Sequence, residues 1–192
     1  TAKSNSASMD MMPIMNVFNE WHAANTSKKL RAVFESNAKS GKYKTNYPPY
    51  GYIKGTDKNC TPIVDPYSAE IIRRIYEMRA SGMNVKKIAE TLNNEKILVP
   101  SDYYYKHQGK PNPYFTEHLW SAGMVKRLLK NPVYLGHLIQ LRTTTVSYKN
   151  HKVVKKDESE WAVIENNHEP IISQELWDRV REIDNSVSNG KS

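Results

Sequence analysis

Cysteine occurs once in the 192 residues, at Cys60. That excludes an internal disulfide and a multi-cysteine zinc site, and it fits a reducing compartment. No run of ~18 apolar residues is present, so no membrane-crossing helix is expected. The start shows no secretory leader, and a first residue Thr1 in place of Met reads as the start of a fragment. Phenylalanine is scarce, three against twelve tyrosines, which favours rings that can also hydrogen-bond at a wet surface. Catalytic signatures are missing too. The six histidines (His22, His107, His118, His137, His151, His168) show neither HxxxH nor HExxH spacing, and there is no phosphate loop, GxSxG or GxGxxG. The pair Asp157-Glu158 sits in a charged, solvated stretch. The expectation is a chain with no catalytic residue, no metal ligands and no cofactor, which binds something rather than converts it.

What is present is positive charge, 28 − 20 = +8, which favours a polyanionic partner. Residues 28–58 hold eight Lys and Arg (Lys28, Lys29, Arg31, Lys39, Lys42, Lys44, Lys54, Lys58) against Glu35 and Asp57. Residues 1–8 are small and polar and read as loose. A helical pattern follows from about 10 to 40, ~45 Å at 1.5 Å per residue, too long for one face of a small core. Its first half carries Met11, Met15, Phe18 and Trp21, for a partner surface or for packing on the chain's own core. Residues 41–58 read as an extended linker, stiffened by Pro48-Pro49. Its lysines interleave with Tyr43, Tyr47, Tyr50 and Tyr52, either solvated or laid along a phosphate backbone or minor groove.

The stretch 65–98 predicts two short helices around a tight turn. Asp65 suits an N-cap and Pro66 the first helical position. Ile71, Ile75 and Met78 form a stripe. Gly82 suits a C′ position, and Asn84 can cap a second helix with Val85, Ile88, Ala89 and Leu92 inward and Lys86 and Lys87 outward. This is the first half of a helix-turn-helix or an ordinary helical hairpin. Residues 99–120 read as loop or short strands. Ser121 can cap a third helix, with Trp120 and Val125 as a hydrophobic staple. Val125, Leu128 and Leu129 face inward, and Asn131-Pro132 stops it. Lys126, Arg127 and Lys130 point elsewhere, so this helix could enter a major groove end-on. Residues 133–164 read as short strands, with Gly136 as a bulge. Ser173 caps a last helix to about Ile183, before a frayed tail from Asn185.

Several segments together resemble the large serine recombinases, the integrases and transposases of mobile elements. They are NEWHAANTSKKLRAVFESNAKSGKY (19–43), PPYGY (48–52), IVDP (63–66), AEIIRRIYEMRASGMNVKKIAETLN (69–93), W-S-x-x-x-V-x-x-L-L-x-N-P-x-Y-x-G (120–136) and EPIISQELWDRV (169–180). The likeness spans about 10–183. It implies a catalytic domain with a nucleophilic serine, a long helix, a recombinase DNA-binding domain and a zinc ribbon with a coiled coil. The catalytic motifs and the CxxC pairs are not found here, and Ser27 is not taken for the nucleophile. Strand cleavage by this chain alone is therefore not expected.

The resulting expectation is an α+β fold. A long N-terminal helix precedes a mixed domain with a helix-turn-helix-like three-helix core and a small antiparallel sheet. The divisions are 1–40 (end of a catalytic domain and linker helix), 41–58 (basic linker), 59–185 (DNA-binding domain) and 186–192 (tail). The DNA-binding set is Lys28, Lys29, Arg31, Lys39, Lys42, Lys44, Tyr47, Tyr50, Lys86, Lys87, Ser121, Lys126, Arg127 and Lys130. Expected partners are double-stranded DNA and further copies of the chain through the long helix, with no membrane. The expected location is the bacterial cytoplasm, at the nucleoid. The competing expectation is a self-association module whose DNA contact is non-specific.

Overall fold

The computed structural model describes residues 6–43, 47–113 and 118–189. The chain divides into two compact units, residues 1–41 with 139–163 and residues 42–138 with 164–192. The fold is mixed, as the pattern predicted: among the described residues there are six α-helices and short paired strands.

The first unit is built on α1 (Ser6–Lys39), a helix of 34 residues. Residues 6–8, read as loose, are helical. The helix runs through Pro13, which lacks an N–H and so removes one i→i−4 bond. Two strands, β4 (Thr143–Thr145) and β5 (Val153–Lys155), form an antiparallel ribbon with Thr144 opposite Val154. An isolated two-stranded ribbon is marginal in water, and this one is tied to α1. The Arg31 guanidinium donates to the Thr145 carbonyl (3.3 Å) and hydroxyl (3.1 Å). The Lys149 ammonium lies 2.7 Å from Glu20.

The second unit holds the core. It contains α2 (Pro66–Ala80), α3 (Val85–Asn94), α4 (Pro100–His107), α5 (Ala122–Leu129) and α6 (Gln174–Asn189). Strand β1 (Tyr52–Ile53) pairs with β2 (Ile63–Val64); the pair β3 (Leu138–Gln140) and β6 (Ala162–Ile164) belongs mostly to the first unit. Ile71, Ile72, Ile75 and Tyr76 of α2, Ile88 and Leu92 of α3, Val125 and Leu129 of α5, and Val180 of α6 are all buried in one cluster. Their spacing of three and four turns each helix's apolar stripe inward. The start and stop signals act as expected at α3, where the Asn84 side chain accepts from the Lys86 N–H, and at Gly82, whose φ of +90° is left-handed. At α2 the Asp65 carboxylate instead accepts from the hydroxyls of Ser68 and Tyr103. Burial pushes this carboxyl up, but those two hydroxyls outweigh it and hold it below the usual carboxylate range. Burial and the same bond raise the Tyr103 phenol to about 12.

Four expectations are corrected. Residues 100–107 form a helix, not loop or strand, with Pro100 in its first turn. Gly136 is not a bulge. It ends a 3-10 turn (Pro132–Leu135) at φ +83°, and a Cβ there would lie 2.5 Å from the His168 carbonyl oxygen. Helix α6 continues past Asn185 to Asn189. The tyrosines of 41–58 do not line a solvated linker: Tyr43, Tyr50 and Tyr52 are buried. The Tyr52 hydroxyl reaches the carbonyls of Val133 (3.1 Å) and Glu169 (3.0 Å), and its ring meets His168 edge-on. Burial holds the His168 imidazole below its usual range, although its Nε2–H donates to the Val133 carbonyl at 2.8 Å.

Candidate nucleic-acid interface

Helix α5 is the element whose surroundings fix a charged face in place. Ser121 caps it by accepting from the Met124 N–H at 3.2 Å. Val125 and Leu129 are fully buried beneath it. Gly123, Lys126, Arg127 and Lys130 fall at i, i+3, i+4 and i+7, so they share the opposite face, and all four are exposed. Among the described residues, no acidic side chain pairs with Lys126, Arg127 or Lys130.

The start of α5 is held by a side chain of α3. The Asn93 amide donates to the Trp120 carbonyl (3.0 Å) and its oxygen accepts from the Trp120 N–H (2.8 Å). The Trp120 indole is 3% exposed and donates to the Ile97 carbonyl at 2.8 Å. Tyr50 packs edge-on against that indole, ring centroids 5.8 Å apart. One clamp thus sets both the origin and the direction of the cationic helix. Asn93 and Trp120 as a clamp were not foreseen. The available signal was a polar residue one position after Leu92 on the inward side of α3.

The other expected residues distribute as follows. Lys86 and Lys87 are exposed on α3, which packs on α5, and Lys86 lies 4.0 Å from Glu90. Lys28, Lys29 and Lys39 are exposed on α1, in the first unit. Arg31, also there, is engaged by Thr145. Lys42 is half-buried. Tyr47 is exposed, its ring 4.7 Å from that of Tyr104. Tyr50 does not belong to a surface strap: it is 8% exposed, and burial raises its phenol well above the usual value. Lys44 lies outside the described residues. A further feature escaped the sequence reading. From His118 to Lys156 there is no acidic residue, against eight lysines and arginines.

Among the described residues, no group of three or more His, Cys, Asp or Glu is placed to hold a metal ion. No helix there is long and apolar enough to cross a membrane.

Helices α2, α3 and α5 pack on one another, the third capped by Ser121, which gives the second unit a helix-turn-helix-like trihelical core. The Recombinase family model matches residues 66–185, and the chain belongs to that family. Among solved structures it is similar to one described as the crystal structure of an LSR–DNA complex, LSR denoting large serine recombinase. The TM-score is 0.51 at 17% identity, over 83% of this chain and 40% of that one. A second solved structure, from work on the sequence requirements of the Listeria innocua prophage attP site, gives a TM-score of 0.49 at 18% identity, over 82% and 51%. The chain therefore spans about half or less of the solved chains it matches. No curated protein matches it.

Proposed function

We propose that this chain is the DNA-binding part of a serine site-specific recombinase, which positions the cleaving domain of a longer protein on attachment or transposon-end DNA. The observation that carries this reading is the outward face of α5: three cations that no acidic side chain among the described residues pairs with, on a helix whose start is pinned by Asn93. Arg and Lys reach the O6 and N7 acceptors of guanine in the major groove, and the remaining basic side chains bind phosphate. Membership of the Recombinase family and the fold shared with a recombinase–DNA complex support it. Association with the nucleoid would follow from the same contacts.

The test uses duplexes enriched from a random pool by the wild-type chain. Lys126→Ala and Arg127→Ala should each cost ~1–3 kcal/mol of binding to the enriched duplex and relax its preference over random duplex. Unchanged preference in both variants would remove α5 as the reading element.

A second reading concerns assembly. Met11, Met12, Ile14, Met15, Val17, Phe18 and Trp21 are each more than half exposed on α1, an apolar area that fits packing against another copy of the helix. Sedimentation should then show concentration-dependent dimers or larger species, and Phe18→Glu with Trp21→Glu should return the chain to monomer. A strict monomer at high concentration would dismiss this reading for the chain.

A further inference from the structure

The acid-free stretch does not end with α5. It continues into the β4–β5 ribbon of the first unit, which carries Arg142, Lys149, Lys152, Lys155 and Lys156. Three of these have partners inside that unit. The Arg142 guanidinium lies over the Trp161 ring, 4.9 Å from its centroid. Lys149 pairs with Glu20, and Lys156 sits 3.5 Å from Glu160. Lys152 and Lys155 are exposed, and among the described residues no acidic side chain pairs with either.

The register sets where these two lysines point. Lys155 is opposite Thr143 and Val153 is opposite Thr145, so these four share one face. The Val146 N–H donates to the Lys152 carbonyl at 3.1 Å, which carries the alternation on and puts Lys152 on the other face with Thr144 and Val154. Every residue of β5 is exposed. The ribbon therefore presents one free ammonium on each face, with threonine hydroxyls beside them. B-DNA's major groove, about 12 Å wide, admits a two-stranded ribbon, and a ribbon entering edge-first has a phosphate strand along each face. The ribbon is also held before any partner arrives. Arg31 fixes Thr145, Lys149 fixes the turn to α1, and the turn closes on itself through Ser147 and Asn150.

We propose that the β4–β5 ribbon is a second contact with duplex DNA, in which Lys152 and Lys155 bind phosphates on either side of a groove. The exposed Thr143 adds a hydroxyl donor to the same backbone. This contact rests on the reading that the chain binds duplex DNA, but it uses a different unit and different chemistry from α5. It supplies affinity without sequence preference, because phosphates carry no sequence information.

The experiment is fluorescence anisotropy with the full chain and two labelled duplexes, the enriched one and a random one, over a salt series. In the double variant Lys152→Ala, Lys155→Ala, the slope of log affinity against log salt should fall by about 1.8, at ~0.9 for each phosphate no longer neutralised. Affinity for both duplexes should fall by the same factor, leaving their ratio unchanged. Lys152→Arg with Lys155→Arg should keep the wild-type slope. A double alanine variant with native circular dichroism and wild-type slope and affinity would overturn the ribbon contact alone. So would a change in the ratio between duplexes without a change in slope. If the wild-type chain bound neither duplex, the proposed function would fall and the ribbon contact with it.

Discussion

Replacing Trp120 by alanine is expected to destabilise the second unit by roughly 3–5 kcal/mol, the usual range for truncating a buried aromatic to alanine. The indole is 3% exposed and packs against Tyr50. Its removal leaves a void and strands the Ile97 carbonyl that its Nε1–H satisfies. Trp120→Phe keeps most of the volume and loses the donor, so it should cost about 1 kcal/mol, one hydrogen bond. Urea midpoints for the three proteins test the ordering. Asn93 bonds only the backbone of this residue, which alanine retains, so any loss of preference for the enriched duplex in folded Trp120→Ala should come from α5 shifting into the space the indole leaves. A wild-type midpoint in Trp120→Ala would mean that the start of α5 is held by something else.

The Arg79–Asp184 pair should give the second large effect. Arg79 is 5% exposed in α2, and its guanidinium bonds Asp184 of α6 at 2.7–2.8 Å and the Met83 carbonyl at 3.0 Å. Removing one partner of a buried pair leaves the other charge uncompensated, at a cost of roughly 3–5 kcal/mol. Asp184→Ala, which leaves the buried guanidinium without its carboxylate, should fall in that range, and Arg79→Ala, which leaves the more exposed Asp184, should cost less. Arg79→Met with Asp184→Leu should lose less than the sum of the two single changes, since neither charge is then left alone. A double-mutant cycle on denaturant midpoints measures this. Strict additivity would show that the two charges do not sense each other.

Much of the helical frame could be read from local chemistry. Asp65-Pro66, Gly82, Asn84, Ser121 and Ser173 stand where α2, α3, α5 and α6 begin or end, because caps act within a turn and leave their mark in adjacent residues. What stayed hidden depends on distant residues. Helix α4 was missed because Tyr103, Tyr104 and Tyr105 have strand-like propensity. Its register is set instead by tertiary bonds, such as that from Tyr103 to Asp65 across 38 residues. The segment around Pro48-Pro49 has the composition of a linker, yet Tyr50 and Tyr52 find cavities formed by residues far along the chain. The twelve tyrosines suggested a wet surface, whereas Tyr76 and Tyr134 are completely buried. At the candidate interface, the charges of α5 were legible and the clamp was not. Nothing local marks Asn93 as the partner of a backbone 27 residues away.

That clamp separates geometry from connectivity. Residues 95–119 must travel from α3 to α5, but two amide–backbone bonds, not the route between them, fix where α5 starts. Lengthening a flexible connection is inexpensive, about 0.6 kcal/mol for each doubling. The excursion through α4 can therefore grow, shrink or acquire new surface while the basic helix keeps its address, leaving evolution a place to vary the chain without retuning the part that would meet DNA.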